Sequence, residues 1–153
     1  MYLKGKTMNK KLVAVIGGSE VSDENYAIAQ RVGQIIAEHD CVLVCGGKSG
    51  AMEAAAKGAK QKNGLTIGIL PGGDNTEANE FIDIPIPTGI SHARNAIIAQ
   101  TGELAIAING KYGTLSEIAY FLGLGKTVLG LNTHNVKGII HLDDVEKIGK
   151  YLK

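Results

Sequence analysis

Residues 12–18 read LVAVIGG, and residues 41–47 read CVLVCGG. Each stretch is a short apolar run rich in β-branched residues, and it ends in a glycine pair, which is typical of a buried strand entering a tight turn. Similar apolar runs cover residues 65–70 (LTIGIL) and residues 104–108 (LAIAI). Strands that are apolar on both faces and alternate with helices predict a Rossmann-like α/β fold, with a doubly wound, mostly parallel sheet and helices on both faces.

The segments between these runs predict the helices that cover the sheet. Apolar residues recur at helical spacing between residues 28 and 36, after Ser22 or Asp23, either of which can cap a helix. The chain of 153 residues suits one domain, residues 1–153, whose residues 1–10 we expect to be a disordered extension beginning at Met1 or, naturally, at Met8. Further helices are predicted over residues 51–62, 90–101, 114–122 and 142–152, and further strands over residues 81–86, 128–131 and 139–140.

Composition excludes several classes of protein. The net charge is +1 and aromatic residues make up 5%, which does not suit a basic nucleic-acid surface with stacking rings. No apolar run approaches the roughly 18 residues that a membrane span needs, and the N-terminus lacks the apolar stretch of a signal peptide. The 21 glycines follow no repeat, which excludes a collagen-like chain. We therefore expect a cytoplasmic protein with no nucleic-acid partner and no membrane partner.

The two cysteines, Cys41 and Cys45, fall in one predicted strand. At roughly 3.3 Å per residue they lie about 13 Å apart, which is too far for a disulfide. No histidine stands near them at the spacing of a zinc site, so we expect no metal site. Both are interpreted as buried small hydrophobic residues of a cytoplasmic protein.

Three glycine-rich loops follow predicted strands, at the edge where a doubly wound sheet binds its ligands. They are residues 17–19 (GGS), 46–50 (GGKSG) and 110–114 (GKYGT), and the last two each contain one lysine. Glycine lets backbone amides approach a ligand, and helix N-termini add unpaired N–H donors, so these loops can bind phosphate. The alternative is that the turns need glycine only for their tight geometry. The expected phosphate-binding residues are Gly17, Gly18, Ser19, Gly46, Gly47, Lys48, Ser49, Gly50, Gly110, Lys111, Tyr112, Gly113 and Thr114.

Familiar nucleotide motifs do not fit these loops. A P-loop ending in Gly47-Lys48-Ser49 requires glycine at position 42, where Val42 stands. A P-loop ending at residues 125–127 fails because Tyr120 occupies its first glycine position and the segment closes a helix instead of opening one. The stretch GGSE at residues 17–20 does not match the dinucleotide fingerprint. The usual ATPase and NAD-binding interpretations are therefore disfavoured.

Two charged residues are candidates for chemistry at the same edge. Thr114 and Glu117 have the spacing of a capping box, so Glu117 either caps a helix or acts on a ligand. Arg94 lies within the predicted helix 90–101 beside the polar residues His92 and Asn95. It is either a solvated surface residue or, near the ligand crevice, a bidentate partner for phosphate.

The order of these glycine-rich loops and charged residues along the chain resembles that of the "Lonely Guy" superfamily of cytokinin-activating phosphoribohydrolases. This superfamily also includes the molybdenum cofactor carrier proteins and relatives labelled "possible lysine decarboxylase". The enzymes carry a Pro-Gly-Gly-x-Gly-Thr-x-x-Glu motif, and residues 109–117 read NGKYGTLSE, so Asn109 and Lys111 replace the Pro and the second Gly. The enzymes' Arg-Lys pair is Arg94-Asn95 here, a form that is more similar to the carrier-type branch. No lysine stands out as a pyridoxal phosphate residue.

The resemblance, which covers about residues 12–131, implies a function in two versions. In the first, the chain is a binding or carrier protein for a phosphorylated heterocycle, such as a nucleotide or the molybdenum cofactor, with Arg94 and Asn95 at the ligand. Tyr112 then either faces the heterocycle or is an exposed loop residue that contacts no ligand. In the second, it is a hydrolase that cleaves the N-glycosidic bond of a nucleoside 5'-monophosphate, and Arg94 and Glu117 form its catalytic pair. The resemblance and the alanine-rich helices also predict a homodimer or homotetramer.

Overall fold

A computed structural model describes residues 9–153, so the predicted start sites Met1 and Met8 and most of the predicted extension lie outside the described residues. The described chain forms a seven-stranded sheet in which every neighbouring pair of strands is parallel. The strands are β1 (Leu12–Gly17), β2 (Val42–Cys45), β3 (Thr66–Leu70), β4 (Ile84–Pro87), β5 (Leu104–Ile108), β6 (Thr127–Leu131) and β7 (Ile140–His141). The helices are α1 (Asp23–Glu38), α2 (Ala51–Gln61), α3 (Arg94–Thr101) and α4 (Tyr112–Gly123), and 3₁₀ helices cover Asn75–Glu77, Ser91–Ala93 and Val145–Tyr151.

The strand order is β4-β3-β2-β1-β5-β6-β7, which confirms the predicted Rossmann-like, doubly wound fold. The chain moves outward from β1 to β4 and then returns to the other side of β1 with β5. Gly17 at the end of β1 is in register with Ile108 at the end of β5. The connections leaving these two strands run in opposite directions, which opens a crevice at the carboxyl edge of the sheet.

Two layers of helices bury the sheet. On one face α1, α2 and the segment Val145–Tyr151 cover a core that includes Val13, Leu43 and Ile106. On the other face only α3 and α4 cover a core that includes Phe121. The alternation of side chains along each strand supplies both cores from the same apolar runs, as the sequence predicts.

Several predicted element boundaries are wrong for identifiable reasons. The predicted helix 90–101 is divided, because Ser91 has a positive φ of 55° and only a 3₁₀ turn precedes α3. The strand predicted over residues 81–86 begins at Ile84, since the Phe81 amide donates to Asn79 Oδ1 in a turn before it. The predicted closing helix 142–152 is a 3₁₀ helix with Gly149 inside it, a residue that disfavours an α-helix.

Other local predictions are confirmed. The Ser22 hydroxyl oxygen accepts a hydrogen bond from the Asn25 amide at 3.2 Å and so caps α1. Cys41 and Cys45 are both free and buried. None of the helices in residues 9–153 combines the length and the apolar character that a membrane crossing requires.

Candidate functional site

A cleft of about 340 Å³ lies at the switch point between β1 and β5. Its volume falls within the usual range of pockets for small molecules, roughly 300–1,000 Å³. Ten of the residues that line it were expected at the ligand from the sequence: Gly17, Gly18, Ser19, Arg94, Asn95, Gly110, Lys111, Gly113, Thr114 and Glu117.

The loops after β1 and β5 meet at the base of this cleft. A Cβ atom on Gly18 would lie 3.5 Å from Gly110 Cα, and a Cβ atom on Gly17 would lie 2.6 Å from the Ile108 carbonyl oxygen. Asn109 and Gly110 have positive φ angles of 51° and 103°, so the chain reverses there before α4 begins. Larger side chains would fill the space that these glycines leave open.

The start of α4 contributes unpaired backbone donors. The helix begins at Tyr112, two residues before the predicted Thr114, and its N-cap Lys111 makes no side-chain capping hydrogen bond. The first N–H groups of any α-helix lack an intrahelical acceptor and carry partial positive charge. Among the residues of this first turn, Gly113 and Thr114 line the cleft, so their amides are available to an anion. Tyr112 itself is 88% exposed and is not among the residues that line the cleft.

Residues 46–50 are not among the residues that line the cleft. Ser49 Oγ donates to the Ser19 carbonyl oxygen at 3.0 Å, and Lys48 Nζ pairs with the Glu77 carboxylate at 3.0 Å. A Cβ atom on Gly46 would overlap the Arg94 guanidinium, so the bare backbone of Gly46 makes room for that side chain. The structure therefore places this loop as a support for the 17–19 loop and for Arg94.

Arg94 is the first residue of α3 and is only 8% exposed, so the expectation of a solvated surface arginine is wrong. Its Nη1 donates to the Ile69 carbonyl oxygen at 3.1 Å. Its Nε is the only side-chain N or O atom of residues 9–153 that is completely enclosed and also lacks a hydrogen-bond partner. An unsatisfied buried donor is costly, which is why such atoms in proteins usually have a ligand or water as partner.

Glu117 does not complete a capping box with Thr114, contrary to that expectation. Because α4 begins at Tyr112, Glu117 lies in its second turn, beyond the reach of the helix end. The residue is 8% exposed, and within the described chain no hydrogen bond acts on its carboxyl group. Burial raises the pKa of Glu117 to about 8, and the positive charge of Arg94 opposes this shift only in part. The group is therefore largely protonated at neutral pH, and it does not neutralise the positive charge of Arg94 in the cleft.

Asn95 connects the two helices beside the cleft. Its Nδ2 donates to Ser116 Oγ at 3.2 Å, and Ser116 Oγ donates to the Gly113 carbonyl oxygen at 2.7 Å. Asn95 is 3% exposed and thus holds the first turn of α4 against α3. It lines the cleft, as the resemblance implied, and it also fixes the position of the α4 amides.

Sequence reasoning missed four residues that line the cleft: Glu20, Met52, His92 and Asn109. Glu20 and Asn109 follow the ends of β1 and β5, so a search of all residues after the strand ends would have found them. Met52 comes from the first turn of α2 and His92 from the 3₁₀ turn before α3. Neither has a local signal, because tertiary packing alone brings these turns to the crevice.

Lys126, which belongs to the excluded P-loop pattern, has a structural role. Its Nζ donates to the carbonyl oxygens of Gln100 at 3.1 Å and of Gly102 at 2.7 Å. A cation at the C-terminus of a helix satisfies free carbonyls and the helix dipole, so Lys126 stabilises the end of α3. Within residues 9–153 no group of three His, Cys, Asp or Glu side chains could hold a metal ion.

The family model described as the SLOG cluster4 family matches residues 10–150. The chain belongs to this family. An uncharacterised protein of Archaeoglobus fulgidus is 50% identical over 119 residues, which cover 78% of each chain. Among solved structures, this SLOG cluster4 chain is similar to the molybdenum cofactor binding protein from the phototrophic bacterium Rippkaea orientalis, with a TM-score of 0.89 and 32% identity over 95% of this chain and 97% of that chain.

A second similar structure is the molybdenum cofactor carrier protein of Chlamydomonas reinhardtii, with a TM-score of 0.84 and 33% identity over 94% of this chain and 98% of that chain. The resemblance to the carrier-type branch is therefore confirmed. The DNA processing protein A of Streptococcus pneumoniae shares the fold at a TM-score of 0.69 and 23% identity, over 93% of this chain and 56% of that chain. The expected absence of a nucleic-acid partner accordingly stays a prediction.

Proposed function

We propose that this protein binds and carries a phosphorylated heterocyclic small molecule, either a pterin such as the molybdenum cofactor or a nucleotide. The observation that carries the proposal is Arg94, a buried cation whose Nε has no partner in the described chain and which lines an open cleft. A phosphate oxygen is a natural acceptor for the guanidinium that lines the cleft, and a charge-assisted bond to it would offset the cost of burying this cation. The similarity to two molybdenum cofactor proteins supports the same class of ligand.

The remainder of the cleft suits the two ends of such a ligand. The amides at the start of α4 and the bare backbone of Gly18 and Gly110 provide the anion-binding end. Met52 offers an apolar surface, and the exposed residues Glu20 and His92 offer polar groups at the same cleft. A heterocycle needs this combination of an apolar face and a few polar contacts.

Calorimetric titration tests the proposal with paired probes. Adenosine 5'-monophosphate and guanosine 5'-monophosphate are compared with adenosine and guanosine, and a phosphorylated pterin with its phosphate-free form is a third pair of probes. We expect binding of at least one phosphorylated probe and a large loss of affinity for its phosphate-free partner. Equal binding with and without phosphate, or no effect of Arg94→Gln on a bound probe, would contradict the proposal.

One observation favours a second candidate, a nucleoside monophosphate phosphoribohydrolase. Glu117 is a buried carboxyl group without a hydrogen bond, in the same cleft as Arg94, and it is free to act on a ribose. The carrier stands first because a protonated carboxyl cannot stabilise the positive charge that develops at the ribose in glycosidic cleavage.

Base release separates the two candidates. Adenosine 5'-monophosphate is incubated with the protein and with Glu117→Gln, and free adenine is measured by chromatography at pH 7 and pH 9. A carrier releases no adenine at either pH. Adenine release that rises with pH and disappears in Glu117→Gln would establish the hydrolase instead, because deprotonated Glu117 would then supply the charge or accept the proton.

A further inference from the structure

The turn between β5 and α4 leaves its backbone donors unused. Within residues 9–153, none of the N–H groups from Gly110 to Thr114 donates a hydrogen bond to a protein acceptor. The start of any α-helix leaves the N–H groups of its first turn free, and the Gly110 amide, which precedes α4, adds to them. A run of consecutive free amides can bind an anion only if the amides keep one orientation.

Two carbonyl groups of the same turn are bound by the loop that follows β6. Thr133 Oγ1 donates to the Asn109 carbonyl oxygen at 2.8 Å, and His134 Nε2 lies 2.9 Å from the Lys111 carbonyl oxygen. Because a carbonyl oxygen only accepts hydrogen bonds, the His134 ring carries a proton on Nε2 and donates it. Neither Thr133 nor His134 is among the residues that line the cleft, so both carbonyl groups are held from outside the cleft.

The loop of residues 132–134 is itself fixed to the body of the protein. Asn132 Nδ2 donates to Asn25 Oδ1 of α1 at 3.1 Å. The Asn109 amide donates to the carbonyl oxygen of Leu131, the last residue of β6, at 3.3 Å. The loop of residues 132–134 therefore connects the β5–α4 turn to β6 and to α1.

The β5–α4 turn needs such a restraint because glycine gives its backbone unusual freedom. Gly110 has a φ of 103°, a region that suits glycine, and a peptide unit beside glycine reorients at little cost. In a planar trans peptide the C=O and N–H groups point in opposite directions, so reorientation of the 109–110 unit would exchange their positions. A carbonyl oxygen in place of an N–H donor would repel an anion. Hydrogen bonds to the Asn109 and Lys111 oxygens stabilise one of the two orientations.

We propose that Thr133 and His134 are positioning residues for the phosphate group of the ligand. They act through the β5–α4 turn without touching the ligand, because they hold its carbonyl oxygens and so keep its free N–H groups oriented for an anion. This role rests on the proposed function and adds to it a second element: Arg94 supplies the charge at the cleft, and the loop of residues 132–134 orders the amides.

Paired substitutions at both positions test the role. His134→Ala and Thr133→Val each remove one donor, whereas His134→Gln and Thr133→Ser each keep a donor at a similar place. His141→Ala is the matched control, because His141 is an exposed histidine of β7 that donates no hydrogen bond to the turn. Calorimetric titration measures the affinity of every variant for adenosine and guanosine 5'-monophosphate and for the two nucleosides. Circular dichroism checks folding, and urea unfolding measures stability.

We expect His134→Ala and Thr133→Val each to weaken monophosphate binding about 5- to 10-fold, which corresponds to the net value of one hydrogen bond. Affinity for the nucleosides should not change, because they have no phosphate to meet the amides. His134→Gln, Thr133→Ser and His141→Ala should bind the monophosphate like the parent protein. If His134→Ala does not fold, Thr133→Val decides the result.

A parent protein that binds a monophosphate no better than its nucleoside would refute the proposed function and the positioning role together. Where the parent protein prefers the monophosphate, three results would overturn the positioning role alone. His134→Ala and Thr133→Val could lose stability and keep their affinity for the monophosphate, which indicates a purely structural role. His134→Gln could bind as weakly as His134→Ala, which indicates that the imidazole contacts the ligand itself. Affinity for the nucleoside could fall as much as affinity for the monophosphate, which indicates a general loss of the cleft.

Discussion

Raising the pH from 7 to 9 should weaken the binding of a nucleoside monophosphate about 10-fold, and Glu117→Gln should abolish this effect. Burial raises the pKa of Glu117 to about 8, so the cleft gains a negative charge beside Arg94 as the pH passes that value. An anionic ligand then meets repulsion where it previously met a neutral carboxyl group.

The magnitude follows from the protonated fraction of Glu117. With a pKa of about 8 the protonated fraction falls from roughly 90% at pH 7 to roughly 10% at pH 9, and the apparent dissociation constant rises in inverse proportion if only the protonated form binds. The ligand phosphate contributes little, since its second pKa is about 6 and it is a dianion throughout this range.

Titration calorimetry at half-unit pH steps, with the best-binding monophosphate as ligand, measures the effect. Glu117→Gln should bind at pH 7 about as tightly as the parent protein, because a neutral amide replaces a neutral carboxyl group, and it should keep that affinity at pH 9. Glu77→Gln is the matched control, because Glu77 acts on Arg94 through its charge but does not line the cleft. Two outcomes would refute the role of Glu117 in this pH effect: Glu117→Gln loses as much affinity between pH 7 and pH 9 as the parent protein does, or the affinity of the parent protein rises with pH.

Three further results are expected. Arg94→Gln should reduce affinity for the monophosphate about 10- to 100-fold, because a charge-assisted hydrogen bond to phosphate is worth roughly 1.5–3 kcal/mol. Affinity for the nucleoside, which has no phosphate, should stay nearly unchanged, and parallel calorimetric titrations of both ligands measure the difference. Glu117→Gln should stabilise the protein by about 3 kcal/mol at pH 7 but not at pH 4. A carboxyl group whose pKa is raised in the folded state destabilises folding as the pH rises from the unfolded value of 4.5 towards 8, and the substitution removes that cost. Urea unfolding at both pH values measures the free energy of unfolding, and an equal gain at both would contradict the raised pKa of Glu117. Gly46→Ala should weaken monophosphate binding because its Cβ would displace the Arg94 guanidinium, whereas Gly73→Ala, whose Cβ meets nothing within 4 Å, should bind normally in the same titration.

Much of the fold follows from local sequence. The apolar runs that end in glycine at residues 12–18 and 41–47 specify parallel strands that are buried on both sides, and the helical spacing between them specifies the covering layers. The boundaries that were wrong depend on single backbone angles or turns, such as the positive φ of Ser91, which no hydrophobic period reveals.

The sequence identified Arg94 and Glu117 as the charged pair of the site, through the resemblance of their motifs. It did not determine what environment they occupy. Arg94 could have been a surface residue and Glu117 a helix cap, and both alternatives were compatible with their neighbours. Only the packing of α3 and α4 on the sheet shows that both are buried in one cleft.

By itself, then, the sequence determined the α/β class, the parallel strands and the glycine turns, because these depend on patterns within a few residues of one another, and it predicted the residues of the candidate phosphate site. The tertiary structure decided that the 17–19 and 110–114 loops meet at the cleft, while the 46–50 loop contacts the 17–19 loop and Arg94 without lining the cleft. It also decided that Glu117 loses its solvent and so keeps its proton near neutral pH. Desolvation and the meeting of strand ends depend on contacts between residues far apart in the chain, and no local pattern encodes them.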